Sequence, residues 1–395
     1  MPRLCLSLLL LAGKPQLVSL ASLMAVIAVL SLLSTQSAQG ITYNVVDLNP
    51  AGFVYSGAYG FSGSQQVGAG TGPVTGNQLH ALLWSGSASS AVDLNPADFT
   101  GSAALGSSDS QQVGYGRPAV TGDPVHALLW SGSASSAVDL NPTAAGFDFS
   151  NALAASGSQQ VGFGLGPATG DAFSHALLWS GTAASAVDLN PAGFNSSSAL
   201  GVSGGQQVGY GGGAVTGYAT HALLWSGSAA SAVDLNPLGF RTSRAVGISG
   251  GNQVGSGTKG ASPDSHALLW SGSAATAVDL HPVGLTRSYG MAVYGDQQVG
   301  YGNNASGDVS FTDRALLWSG GASSVVDLQS YLSSDYGQSH AYAIDANGNI
   351  LGDAVYLPTG LYHAIEWIAI VPEPSTGLLV IAGLLGLGVR RRGHA

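Results

Sequence analysis

The sequence predicts an all-β fold in which seven similar units close into a ring. Three observations support this prediction: a phrase that recurs at a nearly fixed spacing, four strand patterns in each repeat, and complementary pieces at the two ends of the array. The sequence motif His-Ala-Leu-Leu-Trp-Ser-Gly, which we call the Trp phrase, occurs at 80–86, 126–132, 175–181, 221–227 and 266–272, with variants at 314–320 and 363–367. A spacing of 45–49 residues between the tryptophans is typical of propellers and solenoids, whose units cannot bury their apolar faces alone.

Residues 188–235 show the strand patterns of one repeat. After an Asn-Pro turn, strands are predicted at 198–203 and 206–211, joined by the Gly204-Gly205 turn as in a β-hairpin. A Gly-rich loop leads to a third strand at 221–225, and Ser226-Gly227 turns the chain into a fourth at 231–235. Both faces of the third strand are largely apolar, so we expect it to lie between neighbouring sheets. Four short strands in about 46 residues are typical of one propeller blade.

The two ends of the array predict how the ring closes. Val-Asp-Leu strands begin at seven positions, which are Val46, Val92, Val138, Val187, Val233, Val278 and Val326. The first precedes every Trp phrase, and the last Trp phrase, at 363–367, has no Val-Asp-Leu after it. If the N-terminal strand completes the last sheet, no strand edge is left open. We therefore predict a seven-bladed β-propeller over 41–371, with an open β-solenoid as the alternative.

The repeat also resembles a known family. Ala-Tyr-Ala-Ile-Asp-Ala-Asn-Gly-Asn-Ile-Leu-Gly at 341–352, followed by His-Ala-Ile-Glu-Trp at 363–367, is similar to the HAF-repeat pattern of bacterial extracellular proteins. The other repeats have Leu where that pattern has Phe, and Gln-Gln-Val-Gly in the second strand. The resemblance covers nearly all of 41–367. It implies a β-rich repeat domain and carries no defined activity or catalytic residues.

Residues 1–40 predict an export signal. Arg3 and Lys14 flank apolar runs, the longer of which covers 17–33, and small residues at 37–40 allow cleavage after Ala38 or after Gly40. The only cysteine, Cys5, lies in this segment. The mature chain would therefore contain no disulfide and no cysteine metal site.

The C-terminal segment, 372–395, predicts sorting at the membrane. Pro372-Glu373-Pro374 is followed by an apolar run over 376–389 and by Arg390-Arg391-Arg392, which together resemble the PEP-CTERM sorting signal. The run would form roughly 21 Å of helix, and the arginines would keep its end on the cytoplasmic side. The resemblance implies transient insertion in the inner membrane, recognition by an exosortase (a membrane-embedded processing enzyme) and release to the cell surface or outside. A permanent single-pass anchor is the alternative.

Charge excludes one class of partner. Residues 41–371 carry six Lys and Arg against twenty Asp and Glu, a net charge of −14. Such a surface repels phosphate backbones, so we expect no nucleic-acid binding. We also expect no cofactor.

Two titratable side chains recur in nearly every repeat, the His that opens the Trp phrase and the Asp of Val-Asp-Leu. Because each copy belongs to a different blade, the copies need not converge on one site. We expect the His to bond a backbone group and the Asp to accept backbone N–H groups in an Asx turn. The G-x-S-x-G matches at 201–205 and 247–251 precede strands, whereas a nucleophile elbow requires a helix.

The residues that break the repeat are the candidates for a site. Arg241, Arg244, Lys259 and Arg287 fall in two consecutive repeats and would form a face for an acidic glycan; scattered surface charge is the alternative. Asp345, Asn347, Asn349 and Asp353 supply oxygens for a candidate Ca²⁺ site. A plain hairpin turn at Asn347-Gly348 is the alternative interpretation of that segment.

Two functional hypotheses follow. The first is a non-enzymatic, exported structural or interaction module of the cell surface or extracellular matrix, associated with exopolysaccharide as the sorting signal implies. The second is a carbohydrate-binding or carbohydrate-cleaving propeller, acting in the latter case as a hydrolase or lyase. Hydrolysis needs paired carboxylates in one cleft. The candidates for such a pair, chosen from the carboxylates outside the repeat pattern, are Asp98, Asp148, Asp296, Asp335, Asp345 and Glu366.

Overall fold

The computed structural model describes residues 42–120, 122–304 and 313–370. The predicted export signal and the sorting segment, with Pro372, Glu373, Pro374 and the three arginines, lie outside these residues. Tyr43–Ala369 forms one compact unit. It consists of seven antiparallel four-stranded sheets, and the described residues contain no α-helix. The predicted seven-bladed propeller is confirmed, and the open solenoid is wrong.

Six blades are each formed by four consecutive strands, which run in order from the innermost strand outward. Blade 1 contains β2 (Tyr55–Ser62), β3 (Gln65–Thr71), β4 (His80–Trp84) and β5 (Val92–Asp93); blade 2 contains β6 (Phe99–Ser108), β7 (Gln111–Pro118), β8 (His126–Trp130) and β9 (Val138–Asp139); blade 3 contains β10 (Phe149–Ser156), β11 (Gln159–Leu165), β12 (His175–Trp179) and β13 (Val187–Asp188). Blade 4 contains β14 (Phe194–Ser203), β15 (Gln206–Gly213), β16 (His221–Trp225) and β17 (Val233–Asp234); blade 5 contains β18 (Phe240–Ser249), β19 (Asn252–Lys259), β20 (Ser265–Trp270) and β21 (Val278–Asp279); blade 6 contains β22 (Arg287–Tyr294), β23 (Gln297–Asn303), β24 (Arg314–Trp318) and β25 (Val326–Asp327).

Blade 7 joins the two ends of the array. Its strands are β26 (Tyr336–Ile344), β27 (Ile350–Tyr356), β28 (Leu361–Ile370) and, on the outside, β1 (Thr42–Asp47). The Leu48 amide donates to the Ala364 carbonyl at 2.9 Å, and His363 Nδ1 lies 2.8 Å from Asp47 Oδ2. The N-terminal strand thus closes the ring, as the Val-Asp-Leu count predicted.

In blades 1–6 the outermost strands contain only two residues each, because a tight turn precedes each of them. In blade 4 the strand contains only Val233–Asp234, and Ala229–Ser231 forms a 3-10 turn. The Ser231 hydroxyl accepts from the Ser226 amide at 2.8 Å and donates to the Ser228 carbonyl at 2.6 Å. The other 3-10 turns are Pro73–Thr75, Ala88–Ser90, Ala134–Ser136, Thr143–Ala145, Pro167–Thr169, Ala183–Ser185, Ala214–Thr216, Ala274–Thr276, Ala322–Ser324 and Leu328–Tyr331.

The hydrophobic core lies between neighbouring blades. All seven tryptophans are fully buried. Leu177 and Trp179 of blade 3 pack with Val113 and Leu129 of blade 2 in one cluster, and equivalent clusters follow around the ring. The third strand of each blade therefore buries side chains on both of its faces, as its apolar pattern predicted.

A buried serine links each blade to the one before it, in an arrangement that we call the Ser–Asn junction. Ser102 of blade 2 accepts from the Ala81 amide of blade 1 at 3.1 Å and donates to Asn95 Oδ1, in the connecting loop, at 2.7 Å. At the seam, Ser56 accepts from the Ala364 amide at 3.0 Å and donates to Asn49 Oδ1 at 2.7 Å. The remaining junctions use Ser150, Ser197, Ser243, Ser288 and Ser339, with His281 and Gln329 in place of Asn at the last two.

A bulge in each innermost strand lines the central channel. The bulged residues are Tyr59, Leu105, Leu153, Leu200, Val246, Met291 and Tyr342. All seven border one central cavity of about 510 Å³. The next residue is always Gly or Ala, and a Cβ on Gly106 would lie only 2.9 Å from the Ala154 Cα. Small residues therefore let seven innermost strands approach around a narrow channel.

Candidate binding site at one end of the channel

The functional side chains gather at one end of the propeller. Because neighbouring strands are antiparallel, the starts of the first and third strands and the end of the second strand lie at the same end of a blade. This end carries the Asn-Pro loops, so we call it the Asn-Pro end. All six basic residues of the domain lie in the half of their strands nearest to it: Arg117, Arg241, Arg244, Lys259, Arg287 and Arg314.

The repeat changes character at one position of the innermost strands, two residues before the bulge. From blade 1 to blade 7 the residues there are Gly57, Ala103, Asn151, Ser198, Arg244, Tyr289 and His340. They are small or neutral in blades 1–4 and large or chargeable in blades 5–7. Across the sheet, Tyr289 faces Tyr301 and His340 faces Asp353. The site is therefore confined to one side of the channel.

Arg244 borders a cavity of about 510 Å³ between blades 4, 5 and 6. Its guanidinium carbon lies 4.7 Å from the ring centroid of Tyr210, an arrangement that fixes the cation over the aromatic face. The cavity, which we call the Arg244 cavity, is also lined by Tyr289 and Tyr301, by the hydroxyl-bearing Thr242, Ser243, Ser256, Thr258 and Ser265, and by the apolar Leu200, Val246 and Met291. It combines one cation with aromatic, hydroxyl and apolar surfaces and contains no carboxylate.

His340, beside this cavity, is held between two carboxylates. Its Nδ1 lies 2.8 Å from Asp353 Oδ1 and its Nε2 lies 3.2 Å from Asp313 Oδ2. Burial by itself lowers the pKa of His340, but the hydrogen bonds to the two carboxylates outweigh burial and raise that pKa to about 9. The imidazole is thus charged at neutral pH. Tyr301 meets it edge-on at 4.7 Å between ring centroids.

The pKa values of the two carboxylates around His340 are shifted in opposite directions. The hydrogen bond from His340 holds the pKa of Asp313 below its ordinary value. Burial raises the pKa of Asp353, and the imidazolium opposes that shift. Because both acids already bind His340, the cluster has little charge left for an external ligand. The cluster contacts the Arg244 cavity through Tyr301, whose ring packs against His340.

The recurring histidines pair with the recurring aspartates. His80 Nδ1 lies 2.7 Å from Asp93 Oδ2 on the adjacent strand. The same pair recurs as His126–Asp139, His175–Asp188, His221–Asp234, His266–Asp279 and His363–Asp47, with Arg314–Asp327 in blade 6. Our expectation that these histidines bond backbone groups was wrong. The Asx turn is confirmed, because the Asn95 amide donates to Asp93 Oδ1 at 2.8 Å.

The structure separates the four predicted basic ligand residues. Lys259 pairs with Asp279 at 3.5 Å and Arg287 with Asp264 at 3.2 Å. Arg241 is exposed at a second bulge of β18. Only Arg244 lines the cavity. Sequence reasoning missed Tyr289, Tyr301 and His340, although comparison of the repeats at this one position would have identified Tyr289 and His340.

The candidate calcium ligands do not converge. Asp345 Oδ1 accepts the amides of Asn347 and Asn349 at 2.8 Å each, which closes the turn between β26 and β27. Asp353 lies four residues beyond Asn349 along β27, about 13 Å away by the rise of a strand, and is bonded to His340. Within the described residues, no three His, Cys, Asp or Glu side chains are grouped to hold a metal ion.

Glu366 is the one carboxylate of the predicted set with an unusual environment. It occupies a position where six repeats have Leu and is 4% exposed. Burial, and secondarily the charge of Asp345, raise its pKa to about 7, while a hydrogen bond from Gln66 opposes the shift. Its Oε2 has no hydrogen-bond partner. None of Asp98, Asp148, Asp296, Asp335, Asp345 and Glu366 lines the Arg244 cavity or the central cavity.

Comparison with protein families identifies the C-terminal segment. Residues 371–392 match the PEP-CTERM protein-sorting motif, as the resemblance of Pro372 to Arg392 predicted. The motif marks the chain for export and for processing by an exosortase. Among the described residues, no helix has the length and apolarity to cross a membrane; the predicted membrane helix lies outside them. No match was found among curated proteins.

Solved structures similar to this chain share its fold. A puromycin hydrolase, the S511A mutant complexed with PGG, aligns with a TM-score of 0.53 at 11% identity over 81% of this chain and 55% of that one. The β-propeller domain of the Trilobed protease from Pyrococcus furiosus, described as having an open velcro topology, aligns with a TM-score of 0.52 at 9% identity over 80% and 95%. The chain spans about half the length of the hydrolase, and both likenesses concern the fold alone.

Proposed function

We propose that this chain is an exported, non-catalytic interaction module that acts at the cell surface or in the extracellular matrix. The observation that carries the proposal is the use of its recurring polar residues. The Ser–Asn junctions connect the blades, and the His–Asp pairs, with Arg314–Asp327 in blade 6, connect the third and fourth strands. Residues that recur with the same contacts in every blade serve the architecture and do not mark a single active site. We further place the repeats in the HAF-repeat class of extracellular proteins, which the blade pattern supports.

The Asn-Pro end of the channel is the interaction surface in this proposal. The blades differ most there, and one cavity combines Arg244 with two tyrosine rings and several hydroxyls. Aromatic faces and hydrogen-bonding side chains around an apolar floor are typical of small-molecule sites. Association with extracellular polysaccharide is consistent with this surface and with the sorting motif.

A carbohydrate-cleaving propeller is the second candidate, favoured by one observation. Glu366 has a pKa of about 7, which suits a general acid, and the charge of Asp345 is one of the causes that raise this pKa. Against this role, Glu366 is buried between blades, and Asp345 is bonded to Asn347 and Asn349 in a turn.

Incubation of the purified protein with acidic and neutral polysaccharides tests the choice. We expect no new reducing ends or unsaturated sugars, and retention of the protein on at least one polymer. Release of sugar that stops in the Glu366→Gln variant would refute the non-catalytic role. Absence of both cleavage and retention would leave an architectural role and remove the interaction role.

A further inference from the structure

We propose that the Arg244 cavity binds the carboxylate of an acidic sugar, a uronic acid either free or within a glycan. This inference rests on the interaction role above and names its ligand class. It starts from a contrast among the cations of the domain. Lys259, Arg287 and Arg314 are each paired with an aspartate, whereas Arg117, Arg241 and Arg244 have no ion pair among the described residues. Of these three unpaired arginines, Arg244 alone lines the cavity.

Arg244 is oriented for an anion that comes from outside. The guanidinium carbon lies 4.7 Å from the Tyr210 ring centroid, and the hydrogen bonds and ion pairs described above do not use the guanidinium N–H groups. The N–H edge of a guanidinium matches the two oxygens of a carboxylate in a bidentate arrangement. The cavity lining contains neither Asp nor Glu, although the domain has a net charge of −14. The cavity lining thus carries one positive charge and no negative charge on a protein that is acidic overall.

The other lining groups suit a ring that carries hydroxyls. The tyrosine pair 289 and 301, with ring centroids 5.0 Å apart, offers aromatic surface for the C–H face of a pyranose. Thr242, Thr258 and Ser265 line the cavity. The hydroxyls of Thr242 and Thr258 are bonded to each other at 2.7 Å, and the pair still offers one proton and free lone pairs to a ligand. A volume of about 510 Å³ falls within the usual range of small-ligand pockets.

The same lining disfavours two other anions. Phosphate groups and nucleotides are normally bound by several cations or by a helix N-terminus, and the cavity has one arginine and no helix. A simple fatty acid matches the charge of Arg244 but has no hydroxyls to bond the polar side chains of the lining. The combination of one charge, aromatic surface and hydroxyls fits a monoanionic sugar.

Isothermal titration of the full-length protein with glucuronate and galacturonate tests the inference, with glucose and galactose as neutral partners. The methyl ester of glucuronate keeps the ring and removes the charge. We expect heat from one or both uronates and a loss of affinity of about tenfold or more with the ester and with the neutral sugars. An oligouronide distinguishes a free sugar from a glycan residue, because only a glycan site binds the oligomer at least as tightly as the monomer.

Variants at two positions of the same strand locate the site. Arg244→Gln should abolish uronate binding, and Arg244→Lys should restore part of it because the charge remains without the bidentate edge. Arg241→Gln removes the same charge at an exposed bulge outside the cavity and should leave affinity unchanged. Unchanged tryptophan fluorescence confirms folding of each variant.

Equal binding of the ester and the acid, or equal losses in the 241 and 244 variants, would overturn the uronate site. Polymer retention that survives Arg244→Gln would overturn it while leaving the broader interaction role in place. Binding that is lost only in the 244 variants supports it.

Discussion

Replacing Glu366 by leucine should stabilise the protein, and the gain should depend on pH. The substitution installs the residue that six blades already have at this place and removes a carboxylate whose Oε2 is buried without a partner. Glu366 has a folded-state pKa of about 7 against an ordinary value of 4.5. Because its folded pKa is raised, this acid lowers stability as pH rises from 4.5 to 7, and the full penalty remains above pH 7.

The size of that penalty follows from the same pKa values. The difference corresponds to roughly 3 kcal/mol at about 1.4 kcal/mol per pH unit. Relaxation of the surrounding protein and water penetration reduce this figure to about 2 kcal/mol. Burial of a leucine side chain in place of the acid adds a further gain that does not vary with pH.

Urea unfolding, followed by the fluorescence of the seven buried tryptophans, measures this gain at pH 4, 5.5, 7 and 8.5. We expect the difference in unfolding free energy between Glu366→Leu and wild type to grow by about 2 kcal/mol between pH 4 and pH 8.5. Glu366→Gln is the matched control, since it keeps the size and polarity and removes the titration. A wild-type pH profile parallel to that of the glutamine variant would refute the reasoning.

Three further predictions concern the clusters and the closure of the ring. The pKa of His340 is raised from 6.5 to about 9, so the stability that its charge contributes is complete below pH 6.5 and is lost as pH rises through 9. His340→Gln should therefore flatten the dependence of the unfolding free energy on pH between pH 7 and pH 10 by up to about 3 kcal/mol. Ser197→Ala removes both bonds of one Ser–Asn junction and should lower the unfolding free energy by about 2 kcal/mol. The control Ser228→Ala, at an exposed turn, should change it by less than about 0.5 kcal/mol. Equal effects of the two variants in urea titrations would contradict the role of the junction in stability. Gly106→Val should prevent close approach of β6 and β10, because even a Cβ there lies 2.9 Å from the Ala154 Cα, and a thermal midpoint within a degree or two of wild type would show that the strands can separate without cost.

The sequence predicts the architecture because each blade repeats the signals that define it. The Trp phrase, the Gly turns and the Val-Asp-Leu strands occur once per blade, and the unequal ends of the array indicated that β1 pairs with β28. The partner of each histidine was missed for a physical reason. His80 and Asp93 are thirteen residues apart, and their contact depends on the register of β4 and β5, which alternation alone does not specify.

The candidate site was predictable only in part. Charge along the chain drew attention to Arg244, but Lys259 and Arg287 share that charge and prove to be paired within the surface. The distinction arises from the sheet, because Arg244 occupies the channel-facing position two residues before a bulge. Tyr301 lies on a second strand and reaches the same cavity through its register with Tyr289, a relation that no local pattern contains.

The Ser–Asn junction at the seam has a consequence for how the chain could be reconnected. Ser56, Asn49 and the Ala364 amide make the same contacts there as their counterparts at the continuous junctions, so the seam is bonded like any other boundary between blades. A circular permutant could therefore begin at any Asn-Pro loop and join the natural ends through a linker that copies residues 85–91, which connect β4 to β5. In such a protein the position of the chain break becomes a choice of the designer, provided that β1 keeps Tyr43, which packs against Tyr331.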